Sequence, residues 1–338
     1  FLSFIHMIAK MMPGTISRTM PSPCAGRRHV DNRAGGLQTA FMTMTAIAPG
    51  RREGEVTLVA ADGYRLGARR YEAIAPRRGK LIVAGATGVP QHFYRRFAEY
   101  ASARGFDTLT LDYRGVGLSR PGSLRGFEMD YLDWATLDLA AAVDAMSEQA
   151  VPLFMVGHSF GGHAFGLLPN HDRIDRLYTF GTGAGWHGWM PPLEQLRVLA
   201  MWRVVGPAIV RWKGYLAWSR LGLGEDLPLG VYRRWRRWCR FPRYFLDDPV
   251  MAQFTEGFAS VRTPIVAANS LDDRWASPRS RDAFMTGYRN ANWQAVDLDP
   301  GREGLRGIGH MGYFRQSAQP LWNRALDWFA APSATPTR

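Results

Sequence analysis

Cysteine is nearly absent from this sequence: Cys24 and Cys239 are the only two in 338 residues. Two are too few for a disulfide framework, and they lack the paired spacing of a zinc site. A reducing, cytoplasmic setting is the simplest expectation. Long apolar runs are missing as well. Leu196 to Trp218 comes closest to a membrane span, but Arg197, Arg203, Arg211 and Lys213 interrupt it. Phe1–Met12 is apolar but short, with neither a basic leader nor a small-residue cleavage site. Acidic residues are scarce in two stretches, and this scarcity accounts for the whole net charge of +13. Residues 1–40 set five cations against Asp31, and residues 197–243 set eleven against Glu225 and Asp226, so the rest of the chain is neutral. A nucleic-acid-binding domain, with charge spread over an entire face, is excluded by that distribution.

What is present is a globular composition. The 46% hydrophobic and 12% aromatic content calls for a sizeable core, and the length suits one large domain with an insertion or two small ones. Residues 1–46 have no sustained period and read as a tail. Met42 or Met44 would be a natural start, and a basic targeting peptide is the alternative.

From Val56 the pattern becomes regular. Val56–Ala60 and Tyr64–Tyr71 flank the turn dipeptide Asp62-Gly63 and read as a hairpin. Strands at Leu81–Ala86, Phe106–Tyr113, Pro152–Val156, Leu177–Phe180, Pro264–Asn269 and Trp293–Leu298 alternate with helical stretches at Tyr94–Arg104, Tyr131–Met146 and Leu321–Phe329. This alternation predicts an α/β fold, a mostly parallel sheet with helices on both faces. It breaks over 185–248, which predicts a helical cap inserted over the carboxyl edge of the sheet, where open α/β sheets bind ligands. The expected organisation is a tail at 1–46, the first part of the core at 47–184, the cap at 185–248, the second part of the core at 249–332, and a tail at 333–338.

The chemistry centres on Gly157-His158-Ser159-Phe160-Gly161, which follows a buried strand and precedes a helical stretch. A serine hydroxyl projects from a strand-to-helix turn only if the turn is sharp, and the neighbours two positions away must then be small. Ser159 is the expected nucleophile. It needs a base and an orienting acid, in the chain order serine, acid, histidine. The acid is sought just past the strand at Pro264–Ser270, where the register favours Asp273 and makes Asp272 a turn or supporting residue. The base is His310, in the glycine-rich loop before the last helix. His158 and His163 read as packing or pocket-lining residues. The oxyanion donors are expected to be the amide of Phe160 and, in the loop Gly85-Ala86-Thr87-Gly88, that of Ala86, with Thr87 as second choice.

Together with Asp112-Tyr113-Arg114-Gly115-Val116-Gly117-Leu118-Ser119 and Gly309-His310-Met311-Gly312-Tyr313-Phe314-Arg315, these residues resemble the α/β-hydrolase superfamily from about Val56 to Phe329. They look most like a bacterial branch of predicted hydrolases. The resemblance implies the fold and the serine triad but no particular substrate. Gly85-Ala86 departs from the His-Gly pair of many relatives, which weakens the assignment of the second oxyanion donor. The expected activity is cleavage of a carboxylic ester or thioester, a small-molecule substrate, through an acyl-enzyme and with no cofactor or metal. Acyl transfer by the same triad, or a non-catalytic binding protein on the same fold, are the alternatives. In the cap, Val231, Trp235, Trp238 and Cys239 fall on one helical face and the arginines of Arg233–Arg240 on the others. A packed amphipathic helix with solvated arginines, an anion-attracting rim and a membrane-surface helix all remain open.

Overall fold

The computed structural model describes residues 53–219 and 224–332. The expected tails at 1–46 and 333–338, and Cys24, lie outside the described residues. Gly63 takes a positive φ of 83° in the first turn, so β1 (Glu53–Val59) folds back antiparallel onto β2 (Arg65–Tyr71) with Val56 opposite Ala68 and Leu58 opposite Leu66. These four side chains are buried and their sequence neighbours are not, the period of a sheet with one covered face.

The remaining strands are β3 (Gly79–Ala84), β4 (Phe106–Leu111), β5 (Leu153–His158), β6 (Arg176–Phe180), β7 (Ile265–Ser270) and β8 (Trp293–Leu298). They complete an eight-stranded sheet in the order β1-β2-β4-β3-β5-β6-β7-β8, and every pairing beyond β2–β4 is parallel. Strands β3 to β7 are buried at every position, because helices cover both faces; only the edge strand β8 is mostly open. Connecting helices are α1 (Arg95–Ala103) and α2 (Ala140–Met146), the latter preceded by a wide π-helical turn at Trp134–Leu139. After β5 comes α3 (Phe160–His163).

The stretch between β6 and β7 carries α4 (Pro192–Ala200), a second π-helical turn at Met201–Val205, α5 (Gly206–Lys213), α6 (Leu229–Trp238) and α7 (Ala252–Ser260). Helices α8 (Pro278–Met285) and α9 (Gln319–Ala330) follow. The insertion does not have a core of its own. Val198, Trp202, Val231, Trp238 and Cys239 join the same apolar cluster as Trp134, Leu139 and Phe160 beside the sheet. Trp238, with no exposed surface, stacks on Tyr131 at 5.1 Å, and Tyr131 stacks on Phe160 at 4.4 Å. Truncating Trp238 to alanine would remove about 3–5 kcal/mol of packing. The opposite face of the sheet is closed by a second cluster in which Phe97, Phe106, Trp322 and Phe329 meet Leu81, Tyr178 and Val266.

Candidate active site

The carboxyl ends of β5, β6 and β7 meet at one point, and the chain after β5 is bent hard to serve it. Ser159 has φ 51° and ψ −109°, a conformation that an L-residue with a side chain rarely adopts. Its backbone is pinned on both sides. Ser159 N donates to Phe180 O at 3.0 Å, and Ser159 O accepts from Gly162 N and from Thr182 Oγ1, each at 3.0 Å. A β-carbon at Gly161 would lie 2.0 Å from Ala84 O, and one at Gly157 would lie 2.6 Å from Gly162 N, so the turn closes only with glycine at both positions. The helix that follows is short: α3 ends at His163, where Gly161, Gly162 and Gly166 weaken it. Individual N–H groups, rather than a long helix dipole, are therefore what this turn offers to an anion.

Ser159 Oγ lies 3.0 Å from His310 Nε2, and His310 Nδ1 lies 2.9 Å from Asp273 Oδ2. The carboxylate only accepts, so Nδ1 carries the proton and Nε2 turns its lone pair to the hydroxyl. Asp273 is fully buried and held from all sides. Its Oδ1 accepts from Trp275 N and Ala276 N at 2.9 Å each, and its Oδ2 also accepts from Tyr313 Oη at 3.1 Å. Burial alone would raise its pKa, but the charge and hydrogen bond of His310 and the two amides win, and the carboxyl is held below the usual range. For His310 burial pulls the pKa down, and the charge and hydrogen bond of Asp273 more than reverse it. Asp272 plays a different part: its Oδ2 accepts from Ile308 N at 2.9 Å and its Oδ1 from Gly309 N at 2.8 Å, tying the histidine loop to the end of β7.

Phe160 N–H and Thr87 N–H find no acceptor among the described residues, while Ala86 N–H donates to Tyr94 Oη at 2.7 Å. This corrects the expectation for the second oxyanion donor. The Ala86 amide is already engaged by a buried hydroxyl, and Thr87, the second choice, has the free N–H. Tyr94 Oη in turn donates to His158 Nδ1, and His158 Nε2 donates to His310 O at 2.8 Å. Sequence reasoning left His158 as a packing or pocket-lining residue and gave Tyr94 no role; the structure makes them one connection between the Ala86 loop and the His310 loop. Burial, with His310 second, pushes His158 down to about 3, so it is neutral and its two nitrogens have fixed roles. His163 is likewise buried and donates to Gly183 O at 2.9 Å, away from the serine.

The stretch between β6 and β7 touches these loops. Glu194 of α4 accepts from Trp275 Nε1 at 3.2 Å, next to Asp273, and Leu227 packs on Gly88 in the loop after β3. In α6 the arginines are not all solvated: Arg234 bonds Asp130, and Arg237 makes a bidentate pair with the buried Asp248 at 2.6 and 2.7 Å. No cluster of three or more metal-ligating side chains occurs among the described residues.

The family model described as serine aminopeptidase, S33, matches residues 76–219. Monoglyceride lipase of Saccharomyces cerevisiae is 29% identical over 87 residues, 25% of this chain and 28% of that enzyme. The aligned part thus spans little more than a quarter of that relative's length. A crystal structure of a soluble variant of the yeast enzyme, in complex with a substrate analog, superposes with a TM-score of 0.60 at 15% identity, over 84% of this chain and 98% of the other. A thioesterase domain from the curacin biosynthetic pathway gives 0.52 at 15% identity, over 82% and 100%. An epoxide hydrolase from Vigna radiata also gives 0.52, at 14% identity over 82% and 97%. At these identities the superpositions speak for a shared fold.

Proposed function

We propose that this chain, which shares the α/β-hydrolase fold and matches a serine-hydrolase family model over residues 76–219, cleaves a carboxylic ester or thioester through an acyl-enzyme formed on Ser159. The observation that carries this reading is the continuous hydrogen-bonded line from Ser159 Oγ through His310 to the buried Asp273. Fold alone would not choose the chemistry, since an epoxide hydrolase shares it. Epoxide hydrolases of this fold attack with an aspartate; here a serine holds the elbow. Two similar proteins, a monoglyceride lipase and a thioesterase domain, are named for ester and thioester cleavage, in keeping with that nucleophile.

In the proposed reaction His310 Nε2 takes the hydroxyl proton as Ser159 Oγ adds to the substrate carbonyl. Asp273 holds the imidazole in the tautomer that can accept it and stabilises the imidazolium. The oxyanion is met by the free N–H groups of Phe160 and Thr87. On collapse His310 returns the proton to the leaving alcohol or thiol. A water molecule, deprotonated by the same imidazole, then releases the acid and restores Ser159. The test is a panel of p-nitrophenyl esters of graded acyl length beside the matching acyl-thioesters, with fluorophosphonate labelling and mass mapping. Turnover of the panel with the label on Ser159 is expected; absence of both turnover and label would overturn the reading.

A further inference from the structure

We infer that the outer face of the helical run from Pro192 to Lys213 is a docking surface for anionic phospholipid bilayers. The run comprises α4, the π-helical turn and α5. Its inner stripe is set by Glu194, Val198, Trp202 and Gly206, buried at four-residue spacing against the rest of the cap. The outward face carries large apolar side chains among its cations. Leu193 is 58% exposed, Leu196 65%, Val204 59% and Trp212 69%, and these are four of the eight large hydrophobic residues exposed among the described residues. Scattered exposed hydrophobic residues need no explanation, but here half of the large ones fall on one helical run.

Charge decides what kind of partner fits. The only acid between Pro191 and Lys213 is Glu194, which is buried and bonded to Trp275 and Arg197. Arg203 and Arg211 are exposed on the same run and make no ion pair among the described residues, and Lys213 lies 3.7 Å over the Trp212 ring. Leucine and tryptophan flanked by unpaired cations, without exposed acids, is the pattern of a helix that lies in the headgroup region: the apolar side chains enter the acyl boundary and the cations meet phosphates. No helix among the described residues is long and apolar enough to cross a membrane, so the contact is one of lying on the surface. The inference is independent of the chemistry at Ser159.

The experiment is flotation of the full chain with vesicles of phosphatidylcholine alone and of phosphatidylcholine with phosphatidylglycerol, at low and high salt. Binding to the anionic vesicles, weakened by salt, is expected. Arg203→Ala with Arg211→Ala should weaken the partition roughly 25-fold, at about a factor of five per cation, and Leu193→Ser with Leu196→Ser and Trp212→Ser should abolish it. Hydrolysis of a water-soluble ester should be unchanged in both variants, which checks their folding, and Ser159→Ala should bind as the parent does. Binding that survives the triple change, or no binding to either vesicle, overturns the inference. So does concentration-dependent dimerisation lost in the triple variant without vesicle binding, which would make the patch a contact between copies.

Discussion

Tyr94 Oη donates to His158 Nδ1 at 2.9 Å while accepting from Ala86 N at 2.7 Å, so one hydroxyl satisfies the loop before Thr87 and the buried imidazole behind His310. Tyr94→Phe removes both bonds and nothing else. Two buried polar groups lose their partner, and stability measured by urea titration should fall by about 1–3 kcal/mol. Turnover should fall with it, because the adjacent Thr87 amide is no longer held. A variant as stable and as fast as the parent would show that this connection does not matter.

Ser159→Ala should abolish fluorophosphonate labelling and lower turnover ~10³-fold or more, since the members of a triad act as a unit. Circular dichroism should be unchanged. Labelling that persists would move the nucleophile elsewhere.

The two adjacent carboxylates should separate cleanly. Asp273→Asn leaves the imidazole in the wrong tautomer, and turnover should drop on the order of 10⁴-fold. Asp272→Asn keeps one acceptor oxygen for the amides of Ile308 and Gly309 and should cost far less activity, with a lower melting temperature. The opposite ranking in kcat would exchange their roles.

As the proposed base, His310 works only when neutral, so kcat/KM should rise with pH through its pKa. Asp273 holds that pKa above 6.5, and the acid limb should therefore have its midpoint above 6.5. The same pair contributes to stability in a defined window. His310, raised, contributes fully below 6.5 and loses its contribution as pH rises through its folded pKa; Asp273, lowered, contributes above 3.8 and loses its contribution as pH falls. A proton NMR titration of His310 in Ser159→Ala should give a pKa above 6.5, and Asp273→Asn should bring it down. An unmoved titration would contradict the pairing.

Arg237 and Arg233 test whether the basic helix α6 steers substrates or packs. Arg237→Ala strands the buried Asp248 carboxylate and should lower the melting temperature, whereas Arg233→Ala, an exposed residue, should not. If Arg233 attracts anionic substrates, Arg233→Glu should reduce kcat/KM for a charged thioester and spare a neutral ester, with the difference shrinking in salt because the Debye length is about 10 Å at 0.1 M. Equal changes for both substrates would leave it a solvated residue.

Sequence reasoning reached what depends on local pattern. The hairpin at Asp62-Gly63, the buried strands and the Gly157–Gly161 turn each follow from a period or from a residue type that few conformations tolerate. The strand-then-loop setting of Asp273 and His310 placed both side chains where the structure brings them to Ser159. What it missed depends on contacts between distant residues. Ala86 was favoured by position, but its amide points at a tyrosine on the next helical turn. Arg234 and Arg237, open between a solvated face, an anion-attracting rim and a membrane-surface helix in the sequence, pair with the distant Asp130 and Asp248. Asp272 grips amides 36 and 37 positions on, a relation that no window of sequence contains.

The backbone at Ser159, at φ 51° and ψ −109°, has an evolutionary consequence. Such a conformation costs on the order of 1–3 kcal/mol for a residue with a side chain and almost nothing for glycine. Ser159→Gly should thus melt above the parent, and Ser159→Ala should not. While the hydroxyl is used, selection holds the chain against that gradient. In a lineage that has lost its substrate the gradient is unopposed, and glycine at position 159 is where such a descendant is expected to drift first.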